Sequence, residues 1–231
     1  MKTKGKKTAA ELMTELEADP AFREARAQRE TEHAVRVDAY RRAAEPVMQD
    51  LQAIGIPVTS VDDLLRSWVP LSNEIAHVLL GHLAVSSFEP LQESLVRALA
   101  AAQPFPGRIL VDLFEATPSE NLKWVIANTM AMARPLGTSD WLLKAAAAPS
   151  SGKAREMLVL AVARLVPAAP AKALLRTLFD DLPGHVAMAF AEVGGREELV
   201  LLKAKRDRMK GWIKKEIDKA IRAIEKRDGS R

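Results

Sequence analysis

The chain of 231 residues contains no cysteine and one tyrosine, and aromatic residues make up only 5% of it. Without cysteine, disulfides, thiolate catalysis and cysteine-ligated zinc are excluded, and cysteine usage says nothing about redox compartment. Signals for β-structure are also scarce, because β-branched residues never alternate with polar ones over a strand length. No apolar run approaches the ~18–20 residues that a membrane span requires. The opening stretch, MKTKGKKTAAELMTELE, is basic but lacks the apolar core of a secretory signal. These absences set the expectation of a cytoplasmic protein that does not enter a membrane.

Hydrophobic residues make up 48% and charged residues 28%, enough to bury a core without a metal or disulfide. The net charge of +4 is unevenly spread. Residues 1–8 carry four lysines and no acid, and residues 203–231 carry 12 basic against 5 acidic residues, which leaves −7 for residues 9–202. The basic character belongs to the two ends, and the body between them is mildly acidic.

Apolar residues recur at the helical spacing i, i+3, i+4, i+7. Leu122, Val125, Ile126, Thr129, Met130 and Ala133 form one such stripe. Others are Leu158, Ala161, Val162, Leu165 and Val166, and then Ile213, Ile217, Ala220, Ile221 and Ile224. The stripes align on a small-then-apolar pair at Ala98-Leu99, Thr129-Met130, Ala161-Val162, Ala189-Phe190 and Ala220-Ile221, at steps of 31, 32, 28 and 31 residues. Shorter stripes lie between them: Ile75, Val78, Leu79 and Leu83; Leu110, Leu113 and Phe114; Leu174, Leu175, Leu178 and Phe179. Pro90, Pro118, Pro149, Pro170 and Pro183 fall near helix boundaries, where a missing N–H costs little. The expected unit is a helical hairpin of ~30 residues repeated five times, and a fixed period in this range marks a solenoid.

The segments SLVRALAAA, NLKWVIANTMAMA, REMLVLAVARLVP and HVAMAFAEVGGREELVLL resemble the HEAT-repeat pattern, in which an alanine-rich second helix ends in a Gly- or Pro-containing turn. The resemblance covers roughly residues 70–227 and rests on the repetition, since single units match loosely. It implies an all-α fold, an α-solenoid with second helices lining one side of a curved surface. The expected organisation is a basic disordered tail over residues 1–8, an N-terminal helical extension over 9–58 and the solenoid over 59–231. In the extension, Pro20 opens a long helix capped by Asp19, the polar run 23–36 projects or frays, and Pro46 kinks or breaks the helix. Ser60 with Asp63 suits a capping box.

No catalytic constellation emerges. HExxH, a P-loop, GxGxxG and GxSxG are all missing. His77 and His82 lie five apart, which turns their rings about 140° from each other on a helix, so they cannot share a metal. His82 reads as a core histidine with a backbone partner. Asp62-Asp63 and Glu197-Glu198 suit helix N-termini. Asp180-Asp181 reads as a solvated turn, and Gly194-Gly195 as a helix end. No cofactor or metal is expected.

The second helices are more informative. One ring of equivalent positions reads Arg97, Asn128, Leu160, Met188 and Lys219, and the ring one turn earlier reads Glu93, Trp124, Glu156, Gly184 and Lys215. Either Trp124, Leu160 and Met188 pack between hairpins, or they floor an apolar groove with a polar rim, the composition of a protein-recognition surface. The leading expectation is a non-enzymatic scaffold binding an unidentified protein or peptide there. Nucleic acid is the alternative partner, through Lys210, Lys214, Lys215 and Arg222. Some DNA glycosylases for alkylated purines share a HEAT-like build and use aromatic and acidic residues on a basic concave face. Trp124 imitates that aromatic, but the centre here is alanine-rich and poor in cations. A bilin-lyase-like HEAT enzyme is a third class and would need a pocket deep enough for a tetrapyrrole.

Overall fold

The computed structural model describes residues 7–66, 71–102 and 104–229. Most of the expected basic tail, residues 1–6, lies outside the described residues. Among the described residues the chain is all-α, with thirteen helices and no strand. It divides into two compact units, residues 1–45 and 46–231.

In the first unit, helix α1 (Ala9–Ala18) starts from a capping box, because Thr8 accepts from Glu11 N while the Glu11 carboxylate accepts from Thr8 N. α1 buries no residue. Helix α2 (Pro20–Ala53) has Asp19 before it, whose Oδ1 accepts from Ala21 N at 2.9 Å. The polar run 23–36 is helical throughout and does not fray into coil. Arg26 pairs with Glu30 one turn on and with Glu17 of α1.

Pro46 neither ends nor interrupts α2. A proline inside a helix costs ~3 kcal/mol. On the next turns, Val47 and Leu51 are fully buried in the second unit, each contributing about 1.5–3 kcal/mol, which outweighs that cost.

The second unit begins with the remainder of α2 and the short helix α3 (Asp63–Arg66). The Asp63 carboxylate accepts from the backbone N–H groups of Thr59 and Ser60, the acidic half of the expected box. Five helix pairs follow: α4 (Asn73–Val85) with α5 (Glu89–Ala98), α6 (Arg108–Ala116) with α7 (Glu120–Ala133), α8 (Ser139–Ala147) with α9 (Arg155–Leu165), α10 (Ala168–Leu178) with α11 (Pro183–Val193), and α12 (Arg196–Arg206) with α13 (Gly211–Gly229). The second members pack in chain order, α7 against α5 and α9, and α11 against α9 and α13. Among the first members, α4 packs on α6 and α8 on α10.

The stripes form the core. Leu122, Val125, Ile126, Thr129 and Met130 are buried on α7, Leu158, Ala161 and Val162 on α9, and Ile217, Ala220 and Ile224 on α13. Leu165 is only half-buried, since the helix ends there. Hydrogen bonds from one second helix to carbonyls of the one before it hold the register. Thr129 Oγ1 donates to Val96 O at 3.0 Å, and Arg164 Nη1 to Ala131 O at 3.0 Å. Arg227 donates to Ala191 O and to Gly194 O. The turns between pairs also touch, with Leu71 N donating to Ala101 O (2.8 Å) and Gly107 N to Leu136 O (2.9 Å).

His82 differs from its expected setting and bonds a carboxylate, not the backbone, with Nε2 2.8 Å from Asp50 Oδ2. The pair Asp180-Asp181 is solvent-exposed, as expected of a solvated turn, and is also paired, because Lys205 donates to Asp180 and Arg155 to Asp181. Arg155 also donates to Ala146 O, so cations carried by α9 and α12 offset the unfavourable helix-end charge.

Candidate protein-binding face

The second helices α5 and α7 start with residues that suit a helix N-terminus, Glu89 in the first turn of α5 and Ser119 with Glu120 at α7. Ser119 caps α7 by accepting from Leu122 N, and its hydroxyl donates to Glu89 on α5 at 2.6 Å. One turn along, Glu93 accepts from Arg97 at 2.7 Å and from Asn121 Nδ2 at 3.0 Å. Glu93, Arg97 and Asn121 thus form one hydrogen-bonded group across α5 and α7.

Trp124 is half-buried and lines an open cavity of about 350 Å³ with Glu120, Asn121 and Lys153. Its indole N–H is buried and has no hydrogen-bond partner. An unsatisfied buried donor costs about 1–3 kcal/mol, so no internal hydrogen bond fixes the ring in its present orientation. Glu120 and Lys153 line this cavity without forming an ion pair with each other, and neither has another ion-pair partner among the described residues. Gly152 precedes Lys153 in the chain, and its φ of +54° and proximity to Glu120 Oε1 exclude a side chain without strain.

Further along, the proposed rings divide. Asn128 and Met188 are half-buried, but Leu160 is 7% exposed and belongs to the core, not to a groove floor. α9, which carries Leu160, packs against both α7 and α11. Glu156 is half-buried and acts on His185 of α11. Burial pushes the His185 imidazole below its usual pKa, and the Glu156 charge works in the opposite direction. His185 also meets Trp212 edge to face, with ring centroids 5.3 Å apart. Trp212 is 51% exposed and covers Gly184, where even a Cβ would strike the indole. Gly184 is therefore the buried seat of an aromatic ring and presents nothing to a partner. Lys215 and Lys219 are exposed, Lys219 pairing with Glu216 at 2.7 Å.

Sequence reasoning did not single out Glu120, Asn121, Lys153, His185 or Trp212. Trp212 carried a signal, as one of four tryptophans in a chain poor in aromatics, at the start of a helix. The other four became visible only once α7, α9 and α11 lay side by side.

The basic cluster at the C-terminal end is partly compensated. Lys214 lies 3.6 Å from Asp207. Arg222 lies near Asp218, which the Arg206 hydrogen bond, chiefly, holds below the usual carboxylate pKa. Lys210 is exposed. Among the described residues no group of three or more His, Asp or Glu is arranged to hold a metal ion, and no helix is long and apolar enough to cross a membrane. Comparisons of the chain with protein-family profiles, with curated proteins and with solved structures find no match.

Proposed function

We propose that residues 59–231 form a HEAT-like α-solenoid that acts as a non-enzymatic scaffold, binding a protein or peptide on the face formed by its second helices. The proposal includes a cytoplasmic setting and no cofactor. The observation that carries it is the packing order of the second helices: α5, α7, α9, α11 and α13 each lie against the next, which supports a single run of adjacent surfaces. The carbonyl contacts of Thr129, Arg164 and Arg227 recur from one helix to the next at separations of 33 to 36 residues. On that run the accessible side chains include Glu93, Arg97, Trp124, Asn128, Glu156, Met188, Lys215 and Lys219, with Trp212 beside them. Half-exposed tryptophan and methionine among paired charges are the composition of recognition surfaces.

Nucleic acid is the weaker alternative. Asp207, Glu216 and Asp218 interleave with Lys214, Lys219 and Arg222, which lowers the attraction for a phosphate backbone. The test is selection from a random peptide library displayed on phage, using the intact protein as bait. Enriched peptides should bind the wild type and lose affinity to Met188→Glu, but not to Val85→Glu on the exposed side of α4. Failure to enrich any sequence would overturn the scaffold reading. Salt-resistant DNA or RNA binding that is lost on changing Lys210, Lys214, Lys215 and Arg222 to Ser would also overturn it.

A further inference from the structure

The cavity beside Trp124 combines an indole ring, one carboxylate (Glu120), one ammonium (Lys153) and one carboxamide (Asn121) in about 350 Å³. Charged neighbours in so small a space normally neutralise each other, but Glu120 and Lys153 are not within ion-pair distance, and both are exposed. The other charges nearby are already matched: Glu93 with Arg97 and Asn121, Glu89 with Ser119, and Arg155 with Asp181. What remains for a ligand is one free charge of each sign flanking an aromatic ring.

We propose that this cavity is the anchor subsite of the second-helix face, and that it takes an arginine or lysine side chain with an acidic residue next to it in the partner peptide. The proposal rests on the scaffold reading and adds the partner's chemistry. The partner's cation stacks on the Trp124 indole and pairs with Glu120, because a ring face and a carboxylate both attract a cation. Lys153 takes the neighbouring carboxylate and disfavours a second cation, so a purely basic segment is a poorer fit than an alternating one. Asn121 offers the free capacity of its amide to the partner's backbone. The Trp124 N–H has no partner to give up, so a bound carbonyl that reached it would break no existing hydrogen bond.

The test uses the full chain and four short Gly-Ser peptides carrying at adjacent positions Arg-Glu, Arg-Arg, Glu-Glu or no charge. Affinity is read by isothermal titration calorimetry, the place of binding from the indole N–H resonance of Trp124, assigned with Trp124→Phe, in the proteins that keep it, and far-ultraviolet circular dichroism checks the fold of each variant. Arg-Glu should bind tightest, and Trp124→Ala should weaken it about fivefold to tenfold. Lys153→Glu should move the preference to Arg-Arg, and Glu120→Lys to Glu-Glu, while Lys210→Ser leaves the order unchanged. A preference order that neither charge reversal alters would overturn the proposal, as would peptide binding that leaves the Trp124 resonance in place. If phage-selected peptides still depend on Met188 after such a result, the scaffold reading stands and the anchor assignment falls. If nothing binds in either experiment, both fall.

Discussion

Ile126 and Leu165 occupy equivalent stripes in the sequence, and the structure separates them. Ile126 is 0% exposed in the middle of α7, and Leu165 is half-buried at the last turn of α9. Ile126→Ala is expected to lose about 2–5 kcal/mol through transfer and cavity terms. Leu165→Ala should lose roughly 1 kcal/mol, because its side chain at the helix end already meets water in part. Denaturant titration of the two variants checks the ranking, and equal losses would contradict it. Glu198 provides a second residue-scale test. It is 1% exposed and accepts from Gly195 N at 2.8 Å and from Arg176. Burial alone would raise its pKa, but the hydrogen bonds from Gly195 and Arg176 outweigh that and hold it below the ordinary glutamate value. A carboxyl with a depressed folded pKa stabilises the fold above its unfolded pKa of about 4.3, and this contribution disappears as pH falls through the folded value. Stability measured between about pH 6 and pH 3 should therefore fall less steeply in Glu198→Gln than in the wild type.

At the scale of elements, the helices were legible and their joints were not. Stripes such as Leu122 to Ala133 announce a buried face because the helical period is local, and the buried residues of α7 follow it. The glycine pair was legible too: Gly194 ends α11 and Gly195 opens α12. Pro46 does not break α2, since whether a proline ends a helix depends on what the following turns bury. Glu198 was readable as an N-terminal acid, but its Arg176 partner lies 22 residues away on α10. Leu160 and Trp124 show the same limit within the candidate site. Both lie off the main stripe, and packing by neighbouring helices decides that one is core and the other lines a cavity. Arg164 is the joint best suited to a test. It donates to both Glu192 carboxylate oxygens on α11 and to Ala131 O on α7, so one side chain spans three helices. Arg164→Met keeps the aliphatic stem and removes these bonds. It should destabilise the protein by about 1.5–3 kcal/mol, the range for hydrogen bonds to charged groups. A loss under ~0.5 kcal/mol would mean that apolar packing alone sets the register.

For the whole molecule, the division at residue 45 separates a largely polar helical segment from the part that carries the core. α1 buries nothing, and from Arg23 to Asp38 every residue of α2 but Ala25 is exposed. Removing residues 1–36 should accordingly leave thermal unfolding of the remainder unchanged to within a few degrees, a result that calorimetry reads directly. The second unit gains from neighbour-to-neighbour packing instead. Each helix pair has an apolar side that the next pair covers, so unfolding is expected to be cooperative across the five pairs. The proposed role of the second-helix surface in meeting a partner is tested by a backbone amide shift map of the intact protein on titration with a phage-selected peptide. Shifts are expected to concentrate in α7, α9 and α11, around Asn121, Trp124, Asn128, Glu156, His185 and Met188. Shifts confined to the first helices α4, α6, α8 and α10, or to Lys210–Arg222 alone, would contradict it.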